Sequence, residues 1–219
     1  MRAEEIWYGD GWKPAAVRTL LTPLSWLYTL GWQSYLGMYR LGLKRPQEPH
    51  RPVLCVGNLV VGGSGKSPLV LHLARLLRNL GQDVVVSASG YGSPRAAGAS
   101  VAPDGPLDPA EWGDEPAMLR WLQPDLPIVV GRRRVLAAQL VARSWPGSVM
   151  LMDDGFQHLP LHKHLTLLLD PDIPNSQTLP AGPYREPRVN RSRADLVLPG
   201  AFRVQRRSLR FVDPEDMSE

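Results

Sequence analysis

Cysteine is almost absent from this chain of 219 residues, because Cys55 is the only one. A single cysteine excludes an intramolecular disulfide framework and suits a reducing compartment. Cys55 lies in an apolar run, residues 53–56, and this setting predicts a small buried core side chain. The hydrophobic content of 43% and the charged content of 21% are those of globular proteins, which argues against global disorder.

Nucleic-acid-binding signatures are also lacking, although the formal net charge is +4. The arginines concentrate at residues 132–134 and between Arg185 and Arg210, and such an excess suits nucleic acid, anionic lipid or a phosphorylated substrate. They are not interleaved with aromatic residues on which bases could stack. We therefore predict no nucleic-acid partner, and a solvated basic face is the alternative interpretation of the run after Arg185.

A uniformly apolar segment is the third feature that is missing. Residues 19–39 carry no charge and are long enough to cross a bilayer, but polar residues recur among them and Pro23 interrupts them. Residues 7–39 contain four tryptophans and four tyrosines, whose rings suit the headgroup layer of a membrane. Residues 1–50 are therefore predicted to form membrane-associated amphipathic helices, peripheral or singly anchored. A buried helical hairpin is the alternative, and acidic Glu4 and Glu5 argue against a cleaved signal peptide.

A glycine-rich loop follows the apolar run at residues 53–56, and leucines at helical spacing come after it. Such a loop can curl its backbone N–H groups around phosphate oxygens at the start of a helix. The predicted nucleotide-binding residues are Val60, Val61, Gly62, Gly63, Ser64, Gly65, Lys66 and Ser67. Lys66 would reach the phosphates, and Ser67 would ligate Mg²⁺. The usual motif has glycine where this chain has Val60, and a chance Gly-Lys-Ser sequence is the alternative.

Two adjacent aspartates end a second apolar run at residues 149–152. Asp153 and Asp154 have the position of strand-terminal carboxylates that hold Mg²⁺ or its water shell, and simple turn formation is the alternative. With Ser67, they are the predicted metal-site residues. The histidines His158, His162 and His164 fit no common zinc spacing.

Strands and helices are predicted to alternate in the remainder of the chain. Predicted strands lie at 83–87, 127–131, 165–170 and 194–198, predicted helices lie at 114–122 and 132–142, and residues 93–109 are predicted to be a surface loop. This order predicts an α/β protein with a P-loop NTPase-like parallel sheet flanked by helices, preceded by the membrane-associated segment. The predicted division is residues 1–50 and a P-loop kinase domain at 51–219.

Several motifs in this order resemble those of the tetraacyldisaccharide 4'-kinases, which phosphorylate the lipid A precursor of Gram-negative bacteria. The motifs are 61–68 (VGGSGKSP), 113–116 (GDEP), 130–135 (VGRRRV), 153–158 (DDGFQH) and 179–187 (LPAGPYREP), with similar sequence at 6–9 and 39–42. The resemblance covers about residues 4 to 200. It implies ATP- and Mg²⁺-dependent phosphoryl transfer to the 4'-hydroxyl of a tetraacyldisaccharide 1-phosphate glycolipid, at the cytoplasmic face of the inner membrane.

The resemblance also implies roles for three acid–base residues. Asp114 would be the base or orienting group for the attacking hydroxyl, Glu115 its neighbour, and His158 a side chain lining the site. An N-cap on the following helix is the alternative for Asp114. The oligomeric state is not implied.

Two departures from the family pattern concern activity. Ser89 stands where the family has arginine, and the family continues into a C-terminal subdomain with an Asp-His-His motif, which is not found before Glu219. A non-catalytic relative that binds nucleotide and membrane is therefore the alternative function. A GTPase is disfavoured, because no Asn-Lys-x-Asp guanine-binding motif is present.

Overall fold

A seven-stranded sheet forms the centre of the computed structural model, which describes residues 1–62 and 65–198. The strands are β1 Val53–Asn58, β2 Val84–Ala88, β3 Ser100–Val101, β4 Ile128–Val130, β5 Val149–Asp153, β6 Leu165–Leu169 and β7 Leu196–Leu198. Their order is β3-β4-β2-β5-β1-β6-β7, and β3 runs antiparallel to β4 while the other pairs are parallel. The predicted α/β class, with a mostly parallel sheet, is confirmed.

Helices cover both faces of this sheet. The helices are α1 Ala3–Tyr8, α2 Trp12–Arg40, α3 Lys66–Asn79, α4 Pro109–Trp112, α5 Asp114–Leu122 and α6 Arg134–Ser144, with 3₁₀ turns at Pro94–Ala97 and Arg188–Arg193. On β2, Val84 and Val86 pack in the core beneath α3 and α5, and Val85 packs in the core beneath α6. Alternate strand side chains point to opposite faces, so a strand covered on both faces is a continuous apolar run.

The prediction of a surface loop at residues 93–109 is only partly correct, because most of the segment is exposed but parts of it are ordered against the sheet. This segment contains a 3₁₀ turn and the edge strand β3, and Ala96, Ala102 and Leu107 are buried in the core. Its glycines and prolines suggested a loop, but its small apolar side chains fit under the edge of the sheet. Tertiary packing therefore overrides the local turn signals.

A single continuous helix, α2, forms most of the first fifty residues and passes through Pro23. It is attached to the loop after β6, since the Ser25 hydroxyl donates to Thr178 O at 2.8 Å and the Tyr28 hydroxyl donates to Arg185 O at 2.7 Å. The alternative of a buried helical hairpin is wrong, because large apolar side chains of α2 remain exposed: Trp12, Leu20, Leu24, Trp26, Leu27 and Leu30. None of the helices in the described ranges has the length and apolarity needed to span a bilayer.

The arginines that follow residue 187 are paired with buried carboxylates as far as the described residues extend. Arg188 and Arg191 each lie 3.0 Å from Asp170, and Arg193 lies 2.5 Å from Glu186. For these arginines the interpretation as a solvated face is wrong, and Arg203 to Arg210 lie outside the described residues. Cys55 is fully buried, as predicted.

Candidate active site

The candidate site lies where β1 and β5 end side by side. These neighbouring parallel strands pair Val56 with Asp153, so the loop that follows β1 and the aspartates that close β5 meet at one edge of the sheet. Ligands of open α/β sheets bind at this carboxyl edge. Topology therefore brings together two motifs that are almost a hundred residues apart.

The glycine-rich loop joins β1 to α3 through left-handed backbone. Gly62 has φ of +107° and Gly65, the N-cap of α3, has φ of +82°, values at which a side chain would be strained. Lys66 is the first residue of α3 and Ser67 is the second. Gly63 and Ser64 lie outside the described residues.

Val60 and Val61 lie at the base of this loop, and both make contacts with other parts of the protein. The Val60 side chain is buried, and the Val61 N–H donates to Pro183 O at 2.9 Å. The Val61 amide is therefore not free to bind a phosphate in this arrangement, which leaves the amides from Gly62 onward for that purpose. A valine replaces the usual glycine at position 60 because its side chain packs in the cluster with Phe156 and Tyr184.

Asp154 joins two cations in the site. Its carboxylate lies 3.8 Å from Lys66 Nζ and 2.8 Å from Arg185 Nη1. Asp154 has φ of +52°, a conformation that residues other than glycine rarely adopt and that tends to mark functional sites. The lysine of the loop and the aspartate after β5 therefore face each other across a short gap.

Asp153 lies behind this pair and is almost completely buried, with 1% of its surface exposed. Neither of its carboxyl oxygens has a hydrogen-bond partner within the described ranges. Burial, followed by the negative charges of Glu115 and Asp154, raises the pKa of Asp153 to about 7, against the opposing effect of Arg134 and Lys66. An unpaired buried carboxylate is costly unless a cation or proton compensates it.

These carboxylates fit a magnesium ion that keeps most of its water. The described residues contain no group of three or more His, Cys, Asp or Glu side chains arranged to enclose a metal. Mg²⁺ differs from zinc in this respect, because it usually binds through one or two carboxylates with water and substrate phosphates. Ser67, partly buried beside Lys66, is the predicted hydroxyl ligand. The unpartnered oxygens of Asp153 therefore match this donor set.

Arg134 fixes the end of β5 from the other face of the sheet. Its guanidinium is buried and donates to Asp153 O at 2.5 Å and to the Ser87 hydroxyl at 3.1 Å. Burial lowers the pKa of Arg134, and the carboxylates of Asp153, Asp154 and Glu115 act in the opposite direction. This contact holds the strand end at which both aspartates stand.

A cavity of about 520 Å³ opens beside Asp154 and reaches α2. Tyr28 and Trp32 of α2 line one side of it, and the other side carries these residues: Val61, Ser89, Arg132, Arg134, Asp154, Gln157, His158, Leu179 and Arg185. Aromatic rings and guanidinium groups are thus the main surfaces available to a ligand. Ser89, which stands where the family motif has arginine, lies in this wall.

His158 lines the cavity in its neutral form. Burial lowers its pKa to about 4, with smaller contributions from the cations Arg134 and Lys163. Its Nε2 is buried without a hydrogen-bond partner in the part of the chain that is described. At neutral pH the ring can therefore donate or accept one hydrogen bond without adding charge.

Asp114 and Glu115 begin α5, whose N-terminus abuts the loop after β2. Asp114 is exposed, and the N-cap is Gly113 without a side-chain capping bond, so the alternative of Asp114 as an N-cap is wrong. A Cβ on Gly113 would lie 3.2 Å from Tyr91 O, which shows how closely the two segments approach. Glu115 acts electrostatically on Asp153 and Arg134, which places it on the same site.

Arg185 and Gln157 are site residues that the sequence analysis did not select. Arg185 pairs with Asp154, and Gln157 Nε2 donates to Asn58 O at 2.8 Å and to Glu186 Oε1 at 3.2 Å. Both belong to motifs of the resemblance, which was the available signal. Their spacing along the chain, however, indicates no chemistry.

The fold and the site define a P-loop NTPase-like α/β protein with a lysine and two aspartates at the carboxyl edge of its sheet. The family model described as tetraacyldisaccharide-1-P 4'-kinase (LpxK) matches residues 17–215, so the chain belongs to this family, as its motifs predict.

Named relatives agree with this assignment. The chain is 41% identical over 186 residues to the tetraacyldisaccharide 4'-kinase of Pelobacter propionicus, covering 82% of this chain and 52% of that protein. It is 42% identical over 188 residues to that of Geobacter metallireducens, covering 83% and 56%. A crystal structure of "apo" form LpxK from Aquifex aeolicus in complex with ATP is 32% identical with a TM-score of 0.74, covering 83% of this chain and 58% of that one. The chain thus spans about half the length of the relatives it matches.

Proposed function

We propose that the protein is an ATP- and Mg²⁺-dependent kinase that phosphorylates the 4'-hydroxyl of a tetraacyldisaccharide 1-phosphate lipid A precursor. The observation that carries the proposal is the approach of Lys66 Nζ to within 3.8 Å of Asp154, beside the carboxylate of Asp153, which has no hydrogen-bond partner among the described residues. A lysine at a helix N-terminus facing two strand-terminal aspartates is the arrangement that phosphoryl transfer requires. Family membership and the ATP bound to the Aquifex relative support the choice of nucleotide.

In this proposal the loop residues hold the triphosphate. Backbone N–H groups from Gly62 through Gly63, Ser64 and Gly65 surround phosphate oxygens, and Lys66 neutralises their charge. Ser67, Asp153 and Asp154 hold the magnesium ion, which when bound neutralises charge that develops on the phosphate oxygens. Arg185 orients Asp154 through the contact of 2.8 Å. Val60 and Val61 support the loop from below.

Three residues of the proposal act on the acceptor hydroxyl. Asp114 accepts the proton of the hydroxyl or orients it, since its exposed carboxylate is free to face a second substrate. Glu115 supports Asp114 and contributes to the charge balance around Asp153. His158, neutral at physiological pH, donates a hydrogen bond into the cavity beside Asp154.

The acceptor glycolipid enters between α2 and the edge of the sheet. Tyr28 and Trp32 offer flat apolar surfaces on which sugar rings pack, and Arg132 supplies positive charge to the same cavity. The exposed apolar side chains of α2 lie on the helix that forms this wall. We propose that residues 1–50 rest on the cytoplasmic face of the inner membrane as a peripheral segment, and that residues 51–219 form the kinase domain.

Immersion of α2 in the interface is energetically reasonable. Leu20 is 77% exposed and Trp26 is 68% exposed, and each such side chain would contribute about 1–2 kcal/mol on transfer from water to the interface. Several exposed apolar residues on one helix are sufficient for reversible attachment, and a spanning helix is not needed.

The test is a transfer assay with the purified chain, ATP, Mg²⁺ and the tetraacyldisaccharide 1-phosphate, with radiolabelled phosphate followed into the lipid. We expect incorporation by the wild-type chain, loss of both ATP affinity and incorporation in Lys66→Ala, and loss of incorporation alone in Asp114→Asn. ATP binding is measured separately by equilibrium dialysis. Retained ATP binding without incorporation by the wild-type chain would refute the kinase and support the non-catalytic alternative.

A further inference from the structure

A second cavity, of about 420 Å³, lies on the opposite side of the loop that carries Gln157 and His158. Those two residues face the first cavity, whereas Phe156, Leu161 and Lys163 of the same loop face the second. Leu36 and Tyr39 from the end of α2 close it, and the remaining lining residues are Arg40, Pro46, Leu159, His162, Thr166 and Arg193. The mechanism proposed above uses none of these lining residues.

Three cations line this cavity and no carboxylate does, as far as the described residues show. Among the residues that the structure describes, Lys163 Nζ donates one hydrogen bond, to Phe156 O at 3.3 Å, and Arg193 Nε is buried without a partner. Arg193 also stacks on the Phe156 ring at 4.2 Å and pairs with Glu186, which lies behind it. Within the described ranges neither Lys163 nor Arg40 forms an ion pair with a carboxylate, although Glu186 acts on Lys163 electrostatically. Hydrogen-bond donors that carry positive charge therefore line a cavity whose other walls are largely apolar.

The histidine of the lining does not cancel this charge. His162 lies 2.7 Å from Glu48, so any charge on its ring is matched by its own partner. Burial lowers the pKa of Lys163 and Arg193 adds to the effect, while Cys55 and Glu186 act in the opposite direction. Keeping cations in an apolar cavity is costly unless an anion joins them.

We propose that this cavity binds the phosphate group of an anionic amphiphile. The phosphate lies between Lys163 and Arg193, with Arg40 at the rim, and the apolar chain runs along Leu36 and Phe156. Charge-assisted contacts with a lysine and an arginine suit phosphate, since its several oxygens can accept from both at once. The apolar part of the lining distinguishes such a ligand from a free inorganic ion.

The site also connects to the active site through hydrogen bonds. Arg193 donates to Glu186 Oε2 at 2.5 Å, and Gln157 donates to Glu186 Oε1 at 3.2 Å. Glu186 is fully buried, so it cannot exchange these partners for water. A phosphate that draws Arg193 toward itself therefore acts on the loop that carries His158.

The test measures binding of dodecyl phosphate, below its micelle concentration, to the whole chain by isothermal titration calorimetry. Dodecyl maltoside supplies the same apolar chain without the anion, and inorganic phosphate supplies the anion without the chain. We expect dodecyl phosphate to bind at least tenfold more tightly than either. Equal binding of the maltoside would overturn the proposal, because it would show an apolar contact only.

The matched variants are Lys163→Met and Lys163→Arg. Methionine keeps an unbranched apolar side chain and removes a half-buried charge, so the fold is expected to persist, and affinity for dodecyl phosphate is expected to fall about tenfold. Arginine is expected to restore it. Arg143→Met removes an exposed cation from α6 and is expected to change nothing. Equal losses in Lys163→Met and Arg143→Met would refute the site.

Competition with dodecyl phosphate then identifies the source of the phosphate. Displacement by short-chain phosphatidylglycerol would assign the site to membrane phospholipid. Displacement by the disaccharide 1-phosphate alone would assign it to the substrate lipid. If neither competes, the proposal fails. Because no arm needs ATP or turnover, the outcome is independent of the kinase assay.

Discussion

Replacing Asp153 with asparagine is expected to stabilise the metal-free protein while removing its Mg²⁺ site. Asp153 is 1% exposed and its carboxylate has no hydrogen-bond partner in the described ranges. Burial and two neighbouring carboxylates raise its pKa from 3.8 to about 7, which corresponds to about 4 kcal/mol against the charged form. Local water and structural relaxation reduce this cost, so the free energy of unfolding of the variant is expected to exceed that of the wild type by about 2–4 kcal/mol at pH 8.

The sign of the pH dependence follows from the raised pKa. The folded state binds the proton of Asp153 more tightly than the unfolded state, so the contribution of Asp153 to stability is most favourable below about pH 4. It falls as pH rises toward 7 and is constant above that value. Asparagine stays neutral throughout, so its advantage should be about 1 kcal/mol or less at pH 4.5 and reach its full size only at pH 8.

The assay is urea unfolding at pH 4.5 and pH 8, with EDTA and then with Mg²⁺. Each kcal/mol corresponds to about 2–4 °C in Tm for a chain of this size, so thermal melts are an independent check. Mg²⁺ should stabilise the wild type and not the variant. Asp125→Asn, at an exposed aspartate, is the control. If Asp153→Asn lowered stability equally at both pH values, the description of Asp153 as an uncompensated buried carboxylate would be incorrect.

Two further predictions concern the support of the site and the membrane contact. A Cβ on Gly57 would lie 2.5 Å from the Phe156 Cβ, so Gly57→Ala should cost about 1–3 kcal/mol in urea unfolding. Gly31→Ala, which has open space around it within helix α2, should cost nothing, because alanine is the better helix former. A tolerated Gly57→Ala would contradict the close packing of β1 against this loop. Trp26→Glu should weaken binding to anionic vesicles, measured by sedimentation, about tenfold. Trp121→Glu replaces an exposed tryptophan of α5 and should leave binding unchanged. Equal effects of the two variants would argue against α2 as the membrane contact.

Much of the fold could be predicted because its elements have strong local signals. The helix predicted at 114–122 has these bounds in the structure, and the strands predicted at 83–87 and 165–170 are shifted or shortened by one residue. Apolar runs and a glycine loop between strand and helix depend on interactions between neighbouring residues, so each can be read from a single stretch of the sequence. The short strand and the buried side chains within 93–109 were not predicted, since the burial of Ala96 and Leu107 depends on strands far from this segment in the chain.

The candidate site was predictable as a set of residues and not as an arrangement. Lys66, Asp153 and Asp154 follow from the loop and the strand-terminal aspartates, whose side chains are ordinarily used for phosphate and magnesium. The pairing of Asp154 with Arg185 joins residues 31 positions apart and depends on where the loop after β6 returns to the sheet. No local pattern encodes that return.

The amino-acid sequence by itself determined the α/β class, the order of most elements, the glycine loop before Lys66 and the family. These properties depend on apolar periodicity and on residue types whose backbone and chemistry are special. Only the tertiary structure decided that Asp153 is buried with no partner in the described part of the chain, that α2 is one helix with an exposed apolar surface, and that Lys163 and Arg193 share a cavity. Burial and long-range charge pairing depend on which strands lie side by side, and strand order is a property of the whole chain.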